Sequence, residues 1–111
     1  MAGVIIVTTE TIPGYEVQKY VGLVWASSAR SENVLSELGA LVGSFAGGEV
    51  KAFKRMMNHG RNDVVNELVR NAEAKGANAI IGLKLGSMAI SPGAVDIYAY
   101  GTAVVAKKKG K

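Results

Sequence analysis

Cysteine is absent from the 111 residues, which excludes disulfides and every thiolate metal site. Histidine occurs once, at His59, so a soft metal has only that imidazole and the thioethers of Met1, Met56, Met57 and Met88 to choose from. Long hydrophobic runs are also missing. The N-terminal stretch Val4-Ile5-Ile6-Val7 has no Lys or Arg before it, whereas a secretory signal places about 7–15 apolar residues behind a basic region. No stretch approaches the roughly 18 apolar residues of a membrane span. A cytoplasmic protein with no membrane partner is expected. Phosphate-cradle motifs are lacking too, despite 14 glycines. Residues 43–48 contain no lysine followed by Ser or Thr, as a P-loop requires, and they do not open a βαβ unit.

What is present is apolar for so short a chain: 49% hydrophobic against 20% charged residues, with a mean hydropathy of +0.19. A monomer of this size buries only about 60–70% of its unfolded surface. The excess apolar surface therefore predicts contact with another copy. The net charge is +4, yet the segment 107–111 supplies four lysines, and without them nine basic residues face nine acidic ones. The positive charge is thus a tail, not the basic face of a nucleic-acid binder. One domain over residues 1–106 with a basic flexible tail over 107–111 is expected.

The order of elements reads ββααββ. Residues 4–8 are β-branched and apolar, as in a short strand. Pro13-Gly14 marks a turn, and a long strand follows over 15–28. From Val21 to Ala26 both of its faces are apolar or small. Ser31 is placed to cap a helix through Val34, Leu35, Leu38, Leu41 and Val42. A longer helix over 49–75 carries the stripe Val50, Phe53, Met57, Val64, Leu68 and Ala72, with Gly60 on it and Gly76 as the C-terminal cap. Strands over 79–85 and 95–105, joined through Ser91-Pro92-Gly93, pair as an antiparallel hairpin. The fold class is α+β, a small antiparallel or mixed four-stranded sheet with two helices on one face. Two consecutive helices cover one face of such a sheet but not both. Trp25, Tyr98 and Tyr100 then stand on uncovered surface and are the candidate oligomer interface.

Candidates for chemistry are few. No serine lies in a nucleophile elbow that would pair with His59, and the carboxylates are scattered along the chain. Trp25, Tyr98 and Tyr100 are the platforms for base stacking, but their neighbours are apolar and not basic.

Three stretches together resemble the YbjQ-like family, which carries a heavy-metal-binding label. They are Val7-Thr8-Thr9-Glu10-Thr11-Ile12-Pro13-Gly14-Tyr15; Gly47-Gly48-Glu49, opening a long helix that ends in Gly76-Ala77-Asn78-Ala79-Ile80-Ile81-Gly82; and Tyr100-Gly101-Thr102-Ala103-Val104. The resemblance spans about residues 4–106. It implies a dodecin-like subunit, a ring-shaped homopentamer and a divalent metal whose identity is open. Glu49 and Glu10 are the carboxylates inside the shared motifs and become the metal-ligand candidates, with His59 outside them. The function expected is an oligomeric, non-enzymatic binding or scaffold module that holds a metal or small ligand at subunit junctions. A hydrolase with a site across subunits and a weak nucleic-acid binder acting through the basic tails are the alternatives.

Overall fold

The computed structural model describes residues 3–30, 48–91 and 94–110. Its elements are β1 (Ile5–Ile6), β2 (Tyr15–Arg30), α1 (Gly48–Ala74), β3 (Ala79–Ser91) and β4 (Ala94–Lys108). They form one four-stranded mixed sheet in the order β1-β3-β4-β2. β1 runs parallel to β3, while β4 is antiparallel to both β3 and β2. The fold class is α+β, as expected. Among the described residues there is one helix. The first of the two expected helices, over residues 31–42, falls outside them.

β2 at 16 residues and β4 at 15 run about 50 Å at roughly 3.3 Å per residue, which sets the 59 Å long axis of the molecule. Both exceed their expected lengths. β4 continues through Lys107 and Lys108, which the sequence assigns to the tail but which sit opposite Glu16 and Tyr15. The Lys109 N–H donates to Gly14 O at 2.8 Å. β3 runs six residues past its expected end at Leu85, because the hairpin pairs up to Ser91 opposite Ala94.

α1 packs on one sheet face. Val64, Leu68 and Ala72, all at 0% exposure, meet Val24, Ala26, Ile80, Leu83, Ile97, Ala99 and Ala103. The alternation along β4 is the expected one, with Ile97, Ala99, Gly101 and Ala103 buried. On α1 the buried positions are Ala52, Met56, Gly60, Val64, Leu68 and Ala72, spaced strictly by four. Such a row is a ridge inclined by about 26° to the helix axis. Phe53, expected on the buried stripe, is instead exposed at 41%, because the inclined ridge passes through Ala52 and Met56.

The helix ends in a Schellman motif. The Ala77 N–H donates to Ala72 O at 3.0 Å and the Gly76 N–H to Glu73 O at 2.9 Å, with Gly76 at φ +88°. The next residue starts β3 with its side chain. Asn78 Nδ2 donates to Ala106 O at 2.9 Å, and the Ala106 N–H donates to Asn78 Oδ1 at 2.7 Å, so the amide imitates a strand peptide.

Among the described residues the opposite face is covered at one end. There Ile12, at 6% exposure, packs with Ala79, Ile81, Val104 and Ala106. The segment carrying it is tied to β3 at a bulge between Ile81 and Lys84: the Gly82 N–H donates to Thr9 O at 2.8 Å and the Leu83 N–H to Val7 O at 3.1 Å. Gly82, at φ +64°, supplies the left-handed residue that the bulge needs.

Candidate functional site

Beyond Ile12 nothing among the described residues covers the second face. Register fixes its rows across β2, β4 and β3 in turn: Leu23, Thr102 and Ile81; Trp25, Tyr100 and Lys84; Ser27, Tyr98 and Gly86; Ala29, Asp96 and Met88. Val24 and Ala26, the neighbours in between, are buried beneath α1, so alternation turns these rows to the other side. Leu23 at 61%, Trp25 at 64%, Tyr100 at 43% and Met88 at 58% are exposed. The sequence placed Trp25, Tyr98 and Tyr100 on uncovered surface, and the sheet brings all three into two adjacent rows.

Tyr98 differs from the other two. A Cβ built on Gly86 would lie 2.5 Å from both Cζ and the hydroxyl oxygen of Tyr98, so the ring lies flat over this glycine. An aromatic laid across a strand glycine stabilises the pair by covering bare backbone. Tyr98 is accordingly half-buried, and part of its area is used within its own chain. Trp25 and Tyr100 are the exposed aromatics of these rows, and Tyr20 on β2 is exposed at 67% as well.

At the outer edge of β2 lies a groove of about 380 Å³ lined by Leu23, Val24, Trp25, Glu67, Asn71, Ala74 and Lys75. Asn71 Nδ2 of α1 donates to Trp25 O at 3.2 Å, and Lys75 Nζ, just past the helix end, donates to Leu23 O at 3.4 Å. A smaller hollow of about 220 Å³ lies between α1 and the hairpin, lined by Met57, Arg61, Leu85, Gly86, Ser87 and Ile97. There Arg61 Nη1 donates to Asn58 Oδ1 at 2.6 Å. Sequence reasoning missed both hollows, because each depends on an angle between helix and sheet that no local pattern encodes.

The three metal candidates do not come together. Glu10 is exposed on the connection between β1 and β2, and His59 is exposed on α1. Glu49 lies in the first turn of α1, and its side chain falls outside the described residues. Among the described residues no three His, Asp or Glu side chains group as metal ligands, and cysteine is absent from the whole chain. The donor set that the described residues of a single copy bring together therefore does not fit a heavy-metal centre. Among the described residues, too, no helix is long and apolar enough to cross a membrane.

Comparison with known proteins matches residues 4–107 to the YbjQ family model, described as "Putative heavy-metal-binding". The chain is similar to a UPF0145 protein of Clostridioides difficile, 41% identical over 101 residues that cover 91% of this chain and 90% of that protein. It is also similar to a UPF0145 protein of Thermotoga maritima, 38% identical over 104 residues that cover 94% and 98%. A crystal structure of a protein with unknown function of the DUF74 family from Pediococcus pentosaceus superposes with a TM-score of 0.65 at 18% identity. It covers 94% of this chain and 98% of that one.

Proposed function

The chain belongs to the YbjQ family, and from that premise we propose that it is a non-enzymatic binding or scaffold module that works as an assembly of identical copies. The observation that carries this reading is the sheet face that no described residue covers. Leu23, Trp25, Tyr100 and Met88 stand exposed in adjacent rows, and the body of the chain has balanced charge. Fully burying one large apolar side chain contributes about 1.5–3 kcal/mol. A contiguous patch of this kind is the mark of a protein contact, and a second copy offers the same patch. The family resemblance implies a ring of five such copies. Ligand sites in this reading lie at the junctions between copies, and the hollows beside β2 and β3 are the candidates for them.

A metal enters the reading only between copies, where Glu10, Glu49 or His59 repeats around an axis. Light scattering of the untagged protein at micromolar concentration tests the assembly: a fixed multiple of 11.6 kDa supports it, and a single-chain mass removes it. Metal analysis and calorimetric titration of the same sample with divalent cations test the metal. Trace-level content with no heat of binding removes that version and leaves the scaffold.

A further inference from the structure

The two hollows differ in how their charge is matched. In the groove beside β2, Glu67 and Lys75 stand together, and the Asn71 and Lys75 donors are used on Trp25 O and Leu23 O. The hollow between α1 and the β3–β4 hairpin has another balance. Met57, Leu85 and Ile97 give it apolar walls, Ser87 offers a hydroxyl, and Arg61 brings a cation. Among the described residues no acid lines it. It therefore combines greasy walls with a positive charge that its own lining leaves unneutralised.

Strand alternation explains where the walls come from. Leu83 is buried beneath α1, and alternation puts Leu85 and Ser87 on the same face of β3. The buried row of α1 runs through Met56, Gly60 and Val64, and Met57 and Arg61 flank it. Leu85 is left 47% exposed on the face that the helix elsewhere covers, whereas Ile97 beside it is 1% exposed. Arg61 Nη1 donates to Asn58 Oδ1 at 2.6 Å, its one bond among the described residues. That bond fixes the guanidinium and leaves its Nη2–Nε edge, two parallel N–H groups, for an acceptor with two oxygens in one plane. The volume of about 220 Å³ equals the liquid share of roughly seven waters at about 30 Å³ each. A molecule of about eight non-hydrogen atoms, the size of hexanoate, fits it.

We propose that this hollow binds a small monocarboxylate with a short apolar chain, the carboxylate on the Arg61 fork beside the Ser87 hydroxyl and the chain against Leu85, Met57 and Ile97. This gives the binding part of the function proposed above its ligand class and rests on that part. It does not rest on the assembly, because these residues all belong to one chain. An inorganic oxyanion matches the guanidinium but leaves the apolar walls wet. An alcohol of the same length covers the walls but leaves the fork without a counter-charge. A carboxylate with a chain of about five carbons satisfies both, and no acid lining the hollow competes with it.

Titration of the full chain with butyrate, pentanoate, hexanoate, hexanol and inorganic phosphate, followed by amide chemical shifts, tests the site. Hexanoate is expected to move the Arg61, Gly86 and Ser87 amides in the millimolar range. Affinity should rise about fourfold with each methylene from butyrate to hexanoate, with hexanol and phosphate at least about tenfold weaker than hexanoate. Arg61→Gln is expected to weaken hexanoate on the order of ten- to a hundredfold, and Arg61→Lys, which keeps the charge without the fork, to restore only part. Leu85→Ala should flatten the chain-length dependence. Arg61 and Leu85 are exposed, so these variants should keep the wild-type circular-dichroism spectrum. Should one fail to fold, the wild-type shift map and chain-length series decide alone. No movement of these amides, unchanged affinity in a folded Arg61→Gln, or phosphate binding as tightly as hexanoate overturns the carboxylate site. The mass by light scattering keeps the two proposals apart. An assembled protein without hexanoate binding loses this site alone, and a single-chain mass with hexanoate bound loses the assembly alone.

Discussion

Replacing Asn78 by alanine tests how the helix is joined to the sheet. Its amide makes two hydrogen bonds, to Ala106 O at 2.9 Å and from the Ala106 N–H at 2.7 Å. Ala106 is only 6% exposed while Asn78 lies at the surface, so water replaces these part-buried bonds only in part. A typical intramolecular hydrogen bond contributes about 0.5–1.5 kcal/mol, and a buried group left unpaired costs about 1–3 kcal/mol. Asn78→Ala leaves one donor and one acceptor of Ala106 without partners, so a loss of about 2–3 kcal/mol is expected. For a chain of this size that corresponds to a fall in Tm of about 8–12 °C. Urea and thermal unfolding followed by circular dichroism at one fixed protein concentration measure it, because assembly makes stability depend on concentration. Asn78→Asp retains the acceptor for the Ala106 N–H but sets a carboxylate against Ala106 O, so it is expected to be destabilised at neutral pH and partly restored when the carboxyl is protonated. A loss below about 0.5 kcal/mol for Asn78→Ala would refute the view that this amide completes the β3–β4 ladder.

Leu68→Ala, at a site with 0% exposure, is expected to cost about 2–5 kcal/mol in urea unfolding; an unchanged midpoint would mean that α1 does not pack as described. Gly82→Ala forces a left-handed φ of +64° on a residue with a Cβ, an expected loss of about 1–2 kcal/mol on the same assay. Gly86→Ala drives the Tyr98 ring off the strand, since the new Cβ would sit 2.5 Å from it. The near-ultraviolet tyrosine signal should change, and a double-mutant cycle with Tyr98→Ala should show that the cost of Gly86→Ala largely vanishes once the ring is gone.

The long helix, the two long strands and the bare aromatic face were legible because each is written in local pattern. Alternation through Ile97, Ala99, Gly101 and Ala103 separates the faces of β4, and the glycine at position 76 ends α1. The far half of β3 was not legible: Gly86, Ser87 and Ala89 have little strand propensity, and pairing with β4 alone makes that segment a strand. The parallel placement of β1 on β3 depends on the Gly82 bulge, a long-range contact without a sequence period. Phe53 was misplaced because hydrophobicity drew it onto the stripe, whereas the buried row of α1 passes through the smaller Ala52. The motifs that carry the family resemblance also acquire structural explanations. Thr9 and Ile12 close one end of the second face, Gly76, Ala77 and Asn78 cap α1 and start β3, and Gly101 fits against Ile80, whose Cγ2 would lie 2.8 Å from an added Cβ. None of these roles requires a metal.

Trp25 is the single tryptophan and stands 64% exposed in one copy, so its fluorescence reports directly on whether another copy covers the face. At micromolar concentration blue-shifted emission that acrylamide quenches poorly is expected, turning red-shifted and readily quenched when extreme dilution separates the copies. Red-shifted, freely quenched emission from the concentrated wild-type protein would contradict it, for Trp25 would then face water in the working molecule.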